Sequence, residues 1–473
     1  MTTGKADNRV VSFIESLRGR RIGIVGAGVS HADLIRLLVE KGASVTLCDR
    51  KKSLEEFGPL GRELAGLGVQ FRLGEGYLQN LTDFEIFFRT PGLYFNRPEL
   101  TDARRRGVAV TSELELFFQL CPCRIYAVTG SDGKTTTTSL IAEMLRREGR
   151  TVHLGGNIGR ALLPIIEQVQ PGDAAVVELS SFQLLSMRQS PDVAVVTNVT
   201  PNHLDVHKTM EEYIEAKKQI LLHQNAFSRA VLNGDNDITR SFVPLVRGEV
   251  RAFSRRGRVE RGCWLRPDGW LCWVQDGVET PVVHRDEIRI PGIHNVENFC
   301  TAISAVWGEV SPNTIRQVAR EFPGVEHRIE FVREREGVRW YNDSIGTSPT
   351  RTMAGLSSFG QKLILLAGGY DKHIPYEPLA PLVREKVKAL ILMGATAGKI
   401  ESAVRRGEDG TLLPEDQLPA IYRVSSMEEA VARAASLAGE GDVVLLSPAS
   451  ASFDLYRNFE ERGDHFKALV NAL

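Results

Sequence analysis

The sequence predicts an α/β protein of three domains. A Rossmann-like first domain precedes a central P-loop ATPase-type mixed sheet with an extra β-ribbon, and a Rossmann-like domain comes last. Three observations carry this. Short apolar β-type runs alternate with helix-period stretches from residue 21 to about 120, and again from about 326 onward. The length of 473 residues suits about three domains at roughly 150 residues each. Between roughly 249 and 290 the alternation gives way to short segments broken by Asp268-Gly269 and Asp276-Gly277, the texture of an antiparallel ribbon. Borders are expected near 121 and 325, giving spans 1–120, 121–325 and 326–473.

Arg21 to Val25 reads as the first strand and runs into Gly26-Ala27-Gly28. A helix pattern covers about His31 to Lys41, and a second strand, Ser44 to Cys48, ends at Asp49. A Gly-x-Gly turn between strand and helix lets backbone approach a diphosphate, and Asp49 would reach a ribose or base. His31 stands where a third glycine would complete that fingerprint, so a purely structural turn is the alternative.

Ile125 to Val128 leads into Gly130-Ser131-Asp132-Gly133-Lys134-Thr135-Thr136, with a helix expected from Ser139 onward. Backbone N–H groups of such a turn cradle phosphate oxygens, Lys134 supplies positive charge, and Thr135 offers a hydroxyl to Mg²⁺. The usual loop places its first glycine where Val128 stands, two residues before Gly130. The strand Ala174 to Val177 ends on Glu178, a carboxylate placed for a metal above the sheet edge. The next strand, Val193 to Thr197, ends on Asn198 and leads to His203.

Met210, Tyr213, Ile214, Ile220 and Leu221 make one apolar helical stripe with Lys217 at its centre. An ammonium there either snorkels to solvent or is chemically changed. A neutral amine reacts with CO₂ to give a carbamate, which offers a metal a carboxylate-like ligand. In the last region Asn342-Asp343-Ser344, Gly368 to Lys372 and Ser447 to Ser452 each fall at or after an expected strand, on the edge where open α/β sheets bind ligands.

Composition sets bounds. A net charge of -1 gives no ground for a bulk nucleic-acid or acidic-membrane partner. The polar start MTTGKADNRV lacks a signal-peptide core, and no apolar run reaches membrane-span length. Six scattered cysteines do not form a disulfide framework, and Cys121-Pro122-Cys123 reads as a reduced pair. The expectation is a cytoplasmic protein.

In order along the chain, TGSDGKTTTT, GGNIG (155–159), ELSSFQ (178–183), NVTPNHLD (198–205), EAKKQI (215–220), HNVEN (294–298), EHR (326–328), NDS (342–344), GGYDK (368–372) and LLSPASASFD (445–454) appear. Their set resembles the Mur ligases over nearly the whole chain, and within them the D-glutamate-adding type. The family's phosphate loop is the shorter G-x-x-G-K-[ST]-T form, which accounts for the register.

The resemblance implies a bacterial, ATP-dependent amide ligase of peptidoglycan precursor synthesis. It would join D-glutamate to UDP-N-acetylmuramoyl-L-alanine through an acyl phosphate, as a monomer with ATP, two Mg²⁺ ions and small-molecule substrates. It implies that Val29, Ser30, Asp49, Arg50, Gly92, Asn157 and His203 serve the UDP-substrate. It also implies that Gly130 to Thr136, Asn295, Asn298, Arg328 and Asp343 serve ATP. Thr135, Glu178, His203 and carbamylated Lys217 would hold the metals, with Lys134, Glu178, His203 and Lys217 as the catalytic set. Thr347, Lys372, Ser452, Phe453 and Phe459 would meet D-glutamate. One departure is Ile345, two places after Asp343, where some relatives carry Lys.

Other readings are a folylpolyglutamate synthase, a different amino-acid adder, a nicotinamide dehydrogenase built on the Gly26 turn, and a nucleotide sensor. The Rossmann-like first domain argues against the folate enzymes, and a dehydrogenase leaves the Lys134 loop idle. A sensor would bind ATP without releasing phosphate.

Overall fold

The computed structural model describes residues 8–200, 209–407 and 409–473. They form two compact units, residues up to Arg285 with Glu297–Val318, and Asp286–Val296 with Ala319–Leu473. The first unit contains two sheets and the second contains one.

β1 (Arg21–Val25), β2 (Ser44–Asp49), β3 (Gln70–Leu73), β4 (Ile86–Phe88) and β5 (Ala109–Thr111) form a parallel sheet in the order β3-β2-β1-β4-β5. The order reverses at β1, so the Gly26 turn lies at the switch point of the sheet. A Cβ on Gly23, inside β1, would lie 2.6 Å from the rings of Phe84 and Phe87. The glycine there lets two phenylalanines pack on the strand.

The second sheet has nine strands in the order β14-β13-β12-β11-β10-β9-β6-β8-β7. Its parallel part is β6 (Arg124–Thr129), β7 (Val152–Gly156), β8 (Ala174–Glu178), β9 (Val193–Val196), β10 (Arg229–Asn233) and β11 (Glu249–Ser254). β8, β9 and β10 are buried at every position, as expected of strands covered by helices on both faces. The expected ribbon is β12 (Gly262–Leu265), β13 (Trp270–Gln275) and β14 (Val278–His284). It is antiparallel and continues the sheet beyond β11.

The helix after the phosphate loop runs Lys134–Arg147, not from Ser139. Its run of four β-branched threonines, weak helix formers, obscured the start in sequence. Thr138 Oγ1 donates back to the Lys134 carbonyl at 2.8 Å, so the run is accommodated within the helix.

In the second unit β15 (Glu330–Arg335), β16 (Val338–Asn342), β17 (Leu363–Ala367), β18 (Val387–Leu392), β19 (Ala420–Arg423) and β20 (Val443–Leu446) take the order β15-β16-β20-β17-β18-β19. Only β15 is antiparallel. The motifs Asn342-Asp343-Ser344, Gly368-Gly369 and Ser447-Pro448 therefore leave the carboxyl ends of the adjacent strands β16, β17 and β20. No helix among the described residues is long and apolar enough to cross a membrane.

Candidate active site

β6 delivers the phosphate loop between β8 and β9, and both neighbours contribute to it. Gly130 takes φ +147 and Gly133 φ +77, where a side chain would be strained. Space forbids one as well: a Cβ on Gly130 would lie 1.8 Å from Thr197 Oγ1, and one on Gly133 2.5 Å from Asn298 Oδ1. The loop is tied to the end of β9. The Ser131 N–H donates to the Asn198 carbonyl at 2.9 Å, the Asp132 N–H to Asn198 Oδ1 at 2.9 Å, and Thr197 Oγ1 to the Asp132 carbonyl at 2.6 Å.

Two lysines point at this turn. Lys134 Nζ lies 3.1 Å from the Gly130 carbonyl and 2.9 Å from that of Ser131. Lys217 Nζ donates to the Gly130 carbonyl at 2.8 Å and to Thr129 Oγ1 at 3.4 Å, and sits 4.6 Å over the Tyr213 ring. Lys217 is 1% exposed, so it does not snorkel. Burial first, and the positive charge of Lys134 second, pull its ammonium well below the usual lysine range.

Glu178 ends β8 beside the loop and is 1% exposed. Its Oε1 accepts from Asn157 Nδ2 at 2.7 Å, while its buried Oε2 has no hydrogen-bond partner among the described residues. A buried carboxylate oxygen left without a donor fits a cation, so the residues present suit a magnesium site at this edge. Asn157 is thus brought against Glu178, and Asn298 against the loop, as Thr137 Oγ1 donates to Asn298 Oδ1 at 3.3 Å. Thr135 and Thr136 open the helix Lys134–Arg147. His203 lies outside the described residues.

On the first sheet, Gly26 takes φ +75 and its N–H donates to the Cys48 carbonyl at 2.9 Å. His31, in the third glycine's place, is buried, and its Nδ1 donates to the Val25 carbonyl at 2.8 Å. Asp49 Oδ1 accepts from the Lys51 N–H at 2.9 Å, and Arg50 Nε donates to Tyr77 OH at 3.2 Å. Gly92 has open space where a Cβ would be. Val29 and Ser30 begin the helix Val29–Glu40.

In the second unit, Asp343 is buried, and burial raises its carboxyl to about 7. It accepts from Ser447 Oγ at 2.6 Å and from the Ile329 N–H at 3.3 Å. Arg328 stands between His327 at φ +61 and Ile329 at φ +44, backbone that a β-branched residue rarely adopts. The backbone on both sides of Arg328 is thus held in a sparsely populated conformation. Asn295 Nδ2 donates to the Pro291 carbonyl at 2.6 Å. Lys372 Nζ lies 3.4 Å from both Thr347 Oγ1 and its carbonyl, so these two expected acceptor groups meet. Ser452 is buried. Phe453 is 64% exposed and packs edge-on against Tyr370, while Phe459 packs edge-on against His327.

Arg462 escaped the sequence reading. It is 2% exposed and donates to the Ser344 Oγ and carbonyl and to the carbonyls of Ser450 and Ala451, at 2.8–3.2 Å. It fastens the Asn342-Asp343-Ser344 turn to the serine-rich turn. The one signal available was an arginine on the apolar face of the closing helix, with Phe466 and Val470.

Residues 128–306 match the Mur ligase middle domain, and residues 327–450 match the Mur ligase glutamate ligase domain. A UDP-N-acetylmuramoylalanine–D-glutamate ligase of Acetivibrio thermocellus is 51% identical over 99% of this chain and 99% of its own. The enzyme of the same name from Symbiobacterium thermophilum is 52% identical over 96% of this chain and 98% of its own. A solved UDP-N-acetylmuramate-alanine ligase of Thermotoga maritima shares the fold, with TM-score 0.56 at 17% identity over 96% of this chain and 99% of that one. On a resemblance that is half identity along essentially its full length, the chain belongs to the Mur ligase family.

Proposed function

We propose that this protein is an ATP-dependent amide ligase that joins D-glutamate to UDP-N-acetylmuramoyl-L-alanine, a step of peptidoglycan precursor synthesis. The observation that carries it is the edge of the second sheet. There a phosphate loop, two lysines on one carbonyl and a buried carboxylate with an oxygen unused among the described residues meet. The two full-length relatives bearing that activity in their names support the choice of substrates.

The reaction makes a poor electrophile reactive. The substrate carboxylate attacks the γ-phosphorus of ATP, ADP leaves, and an acyl phosphate results. The amine of D-glutamate then attacks the acyl carbon, phosphate leaves, and the amide forms. Lys134 swings from its carbonyl contacts to the transferring phosphoryl oxygens, where its charge is most valuable as negative charge spreads. Magnesium, when bound, would draw charge off that phosphoryl group, with Thr135 and Glu178 holding one ion and His203 and carbamylated Lys217 the other. Lys217 suits carbamylation because it is buried, is held by neutral oxygens and is shifted toward the free amine.

Asn157, bonded to Glu178, orients the carboxylate and faces the muramoyl-peptide. Asn298 keeps the loop in register for the nucleotide, while Asn295, Arg328 and Asp343 complete nucleotide binding. Lys372 and Thr347, with Ser452, Phe453 and Phe459, receive the two carboxylates and the stem of D-glutamate. Val29, Ser30, Asp49, Arg50 and Gly92 hold the uridine diphosphate, and domain borders fall near 121 and 325.

Phosphate release with UDP-N-acetylmuramoyl-L-alanine tests the reading. D-glutamate should elicit turnover, while L-glutamate, other amino acids and no acceptor should not. Release that ignores the acceptor would sink the proposal.

A further inference from the structure

The Thr90-Pro91-Gly92 loop after β4 is held at both ends by residues that the mechanism does not use. Arg89 precedes it and is 1% exposed. One terminal nitrogen of its guanidinium lies 3.4 Å from the carbonyls of Thr90 and Leu93. The other donates to the Phe182 carbonyl at 3.2 Å and to Ser186 Oγ at 2.5 Å. Phe182 belongs to the helix Ser181–Leu184, which begins three residues after Glu178. On the far side of the loop, Tyr94 OH donates to Glu212 Oε1 at 2.6 Å. Glu212 lies in the first turn of the helix Met210–Leu222, which carries Lys217.

The choice of residue at 89 is informative. Burying this guanidinium is costly even though the charge of the largely buried Glu115 offsets part of it, and a pair of apolar side chains at 89 and 115 would pack there at lower cost. Nε of Arg89 has no hydrogen-bond partner among the described residues, which adds to that cost. What the arginine supplies is a rigid fork: one tine holds the loop and the other holds the segment that follows Glu178. Tyr94 repeats the arrangement toward the Lys217 helix. A shift of the loop is therefore passed to both elements that flank the phosphate loop.

We propose that Arg89 and Tyr94 are positioning residues that couple filling of the Thr90-Pro91-Gly92 loop by the UDP-substrate to the placement of Glu178 and Lys217, so that the UDP-substrate and ATP bind with positive cooperativity. This rests on the functional reading above. By linkage, each ligand tightens the other by the same factor, and couplings of this kind run from about 5-fold upward.

The test is calorimetric titration of the full chain with the β,γ-imido analogue of ATP and Mg²⁺, with and without saturating UDP-N-acetylmuramoyl-L-alanine. In the wild type the UDP-substrate should tighten the analogue by about 5–10-fold. Tyr94→Phe removes one hydroxyl from an exposed side chain, and Arg89→Lys keeps the charge but not the fork. Both should bring the factor to about 2 or less, with each ligand alone binding within about two-fold of wild type. A role confined to stability would lower the melting temperature and leave the coupling factor unchanged. A wild-type coupling factor in both variants overturns the inference. Failure of the wild-type chain to bind the UDP-substrate overturns the functional reading instead, and this inference with it.

Discussion

At the end of β1 and at the end of β6 the chain makes the same move, from a buried parallel strand through two glycines into a helix. The surroundings differ. The second turn is gripped by Thr197, Asn198, Lys134 and Lys217, and neither of its glycines could take a methyl group. The first turn is braced from inside by His31, whose ring holds the Val25 carbonyl, and a Cβ at Gly28 would meet nothing within 4 Å. One turn is packed with charged and polar side chains; the other leaves open space at Gly28. The glycine spacing is a shared solution to turning the backbone, and the neighbouring strands decide what the turn does.

The largest test removes charge from the second turn. Lys134→Ala and Lys217→Ala should each lower kcat by about 10³-fold. Acetate or formate should restore part of the Lys217→Ala activity if a carbamate acts there. Full activity of Lys217→Ala would remove Lys217 from the mechanism. Next, Gly130→Ala forces a methyl into Thr197 Oγ1 and should cost about 3 kcal/mol in urea unfolding, with loss of ATP turnover.

Gly28→Ala separates the two turns more finely. Gly28 has φ -67 and open space, so the melting temperature should hold. The KM for the UDP-substrate should still rise about ten-fold, because the methyl occupies the diphosphate approach. An unchanged KM would make the first turn purely structural.

The smallest effect concerns His31. Burial lowers its pKa below the ordinary 6.5, so acid protonates the unfolded chain before the folded one. Stability is therefore full above about 6.5 and falls as pH drops below it, until the folded pKa is reached. His31→Asn keeps a donor for the Val25 carbonyl and should reduce the loss of melting temperature between pH 7 and pH 5. An identical slope in the variant would show that other groups dominate.

Much of the fold was legible because parallel strands buried on both faces are continuous apolar runs. β1 falls on the expected residues, and β8 ends on Glu178 as the run of Ala174 to Val177 implied. The helix start at Lys134 was missed because four threonines read as non-helical in isolation, while the glycine cap and the Thr138 back-bond settle them in place. Of the expected site, the meetings of Lys217 with Gly130 and of Lys372 with Thr347 appear in the fold. Those that involve His203 fall outside the described residues.

The sequence alone determined the α/β architecture, the shortened phosphate loop, the strand-end carboxylate and a lysine on an apolar helical stripe, because each is a local pattern of spacing and polarity. Only the tertiary structure decided that Glu178 keeps one buried oxygen without a donor among the described residues, that Arg462 joins two turns more than a hundred residues apart, and that Arg89 and Tyr94 clasp one loop. Those facts depend on which strands become neighbours and on which polar atoms burial leaves unsatisfied, and neither is encoded at any single place along the chain.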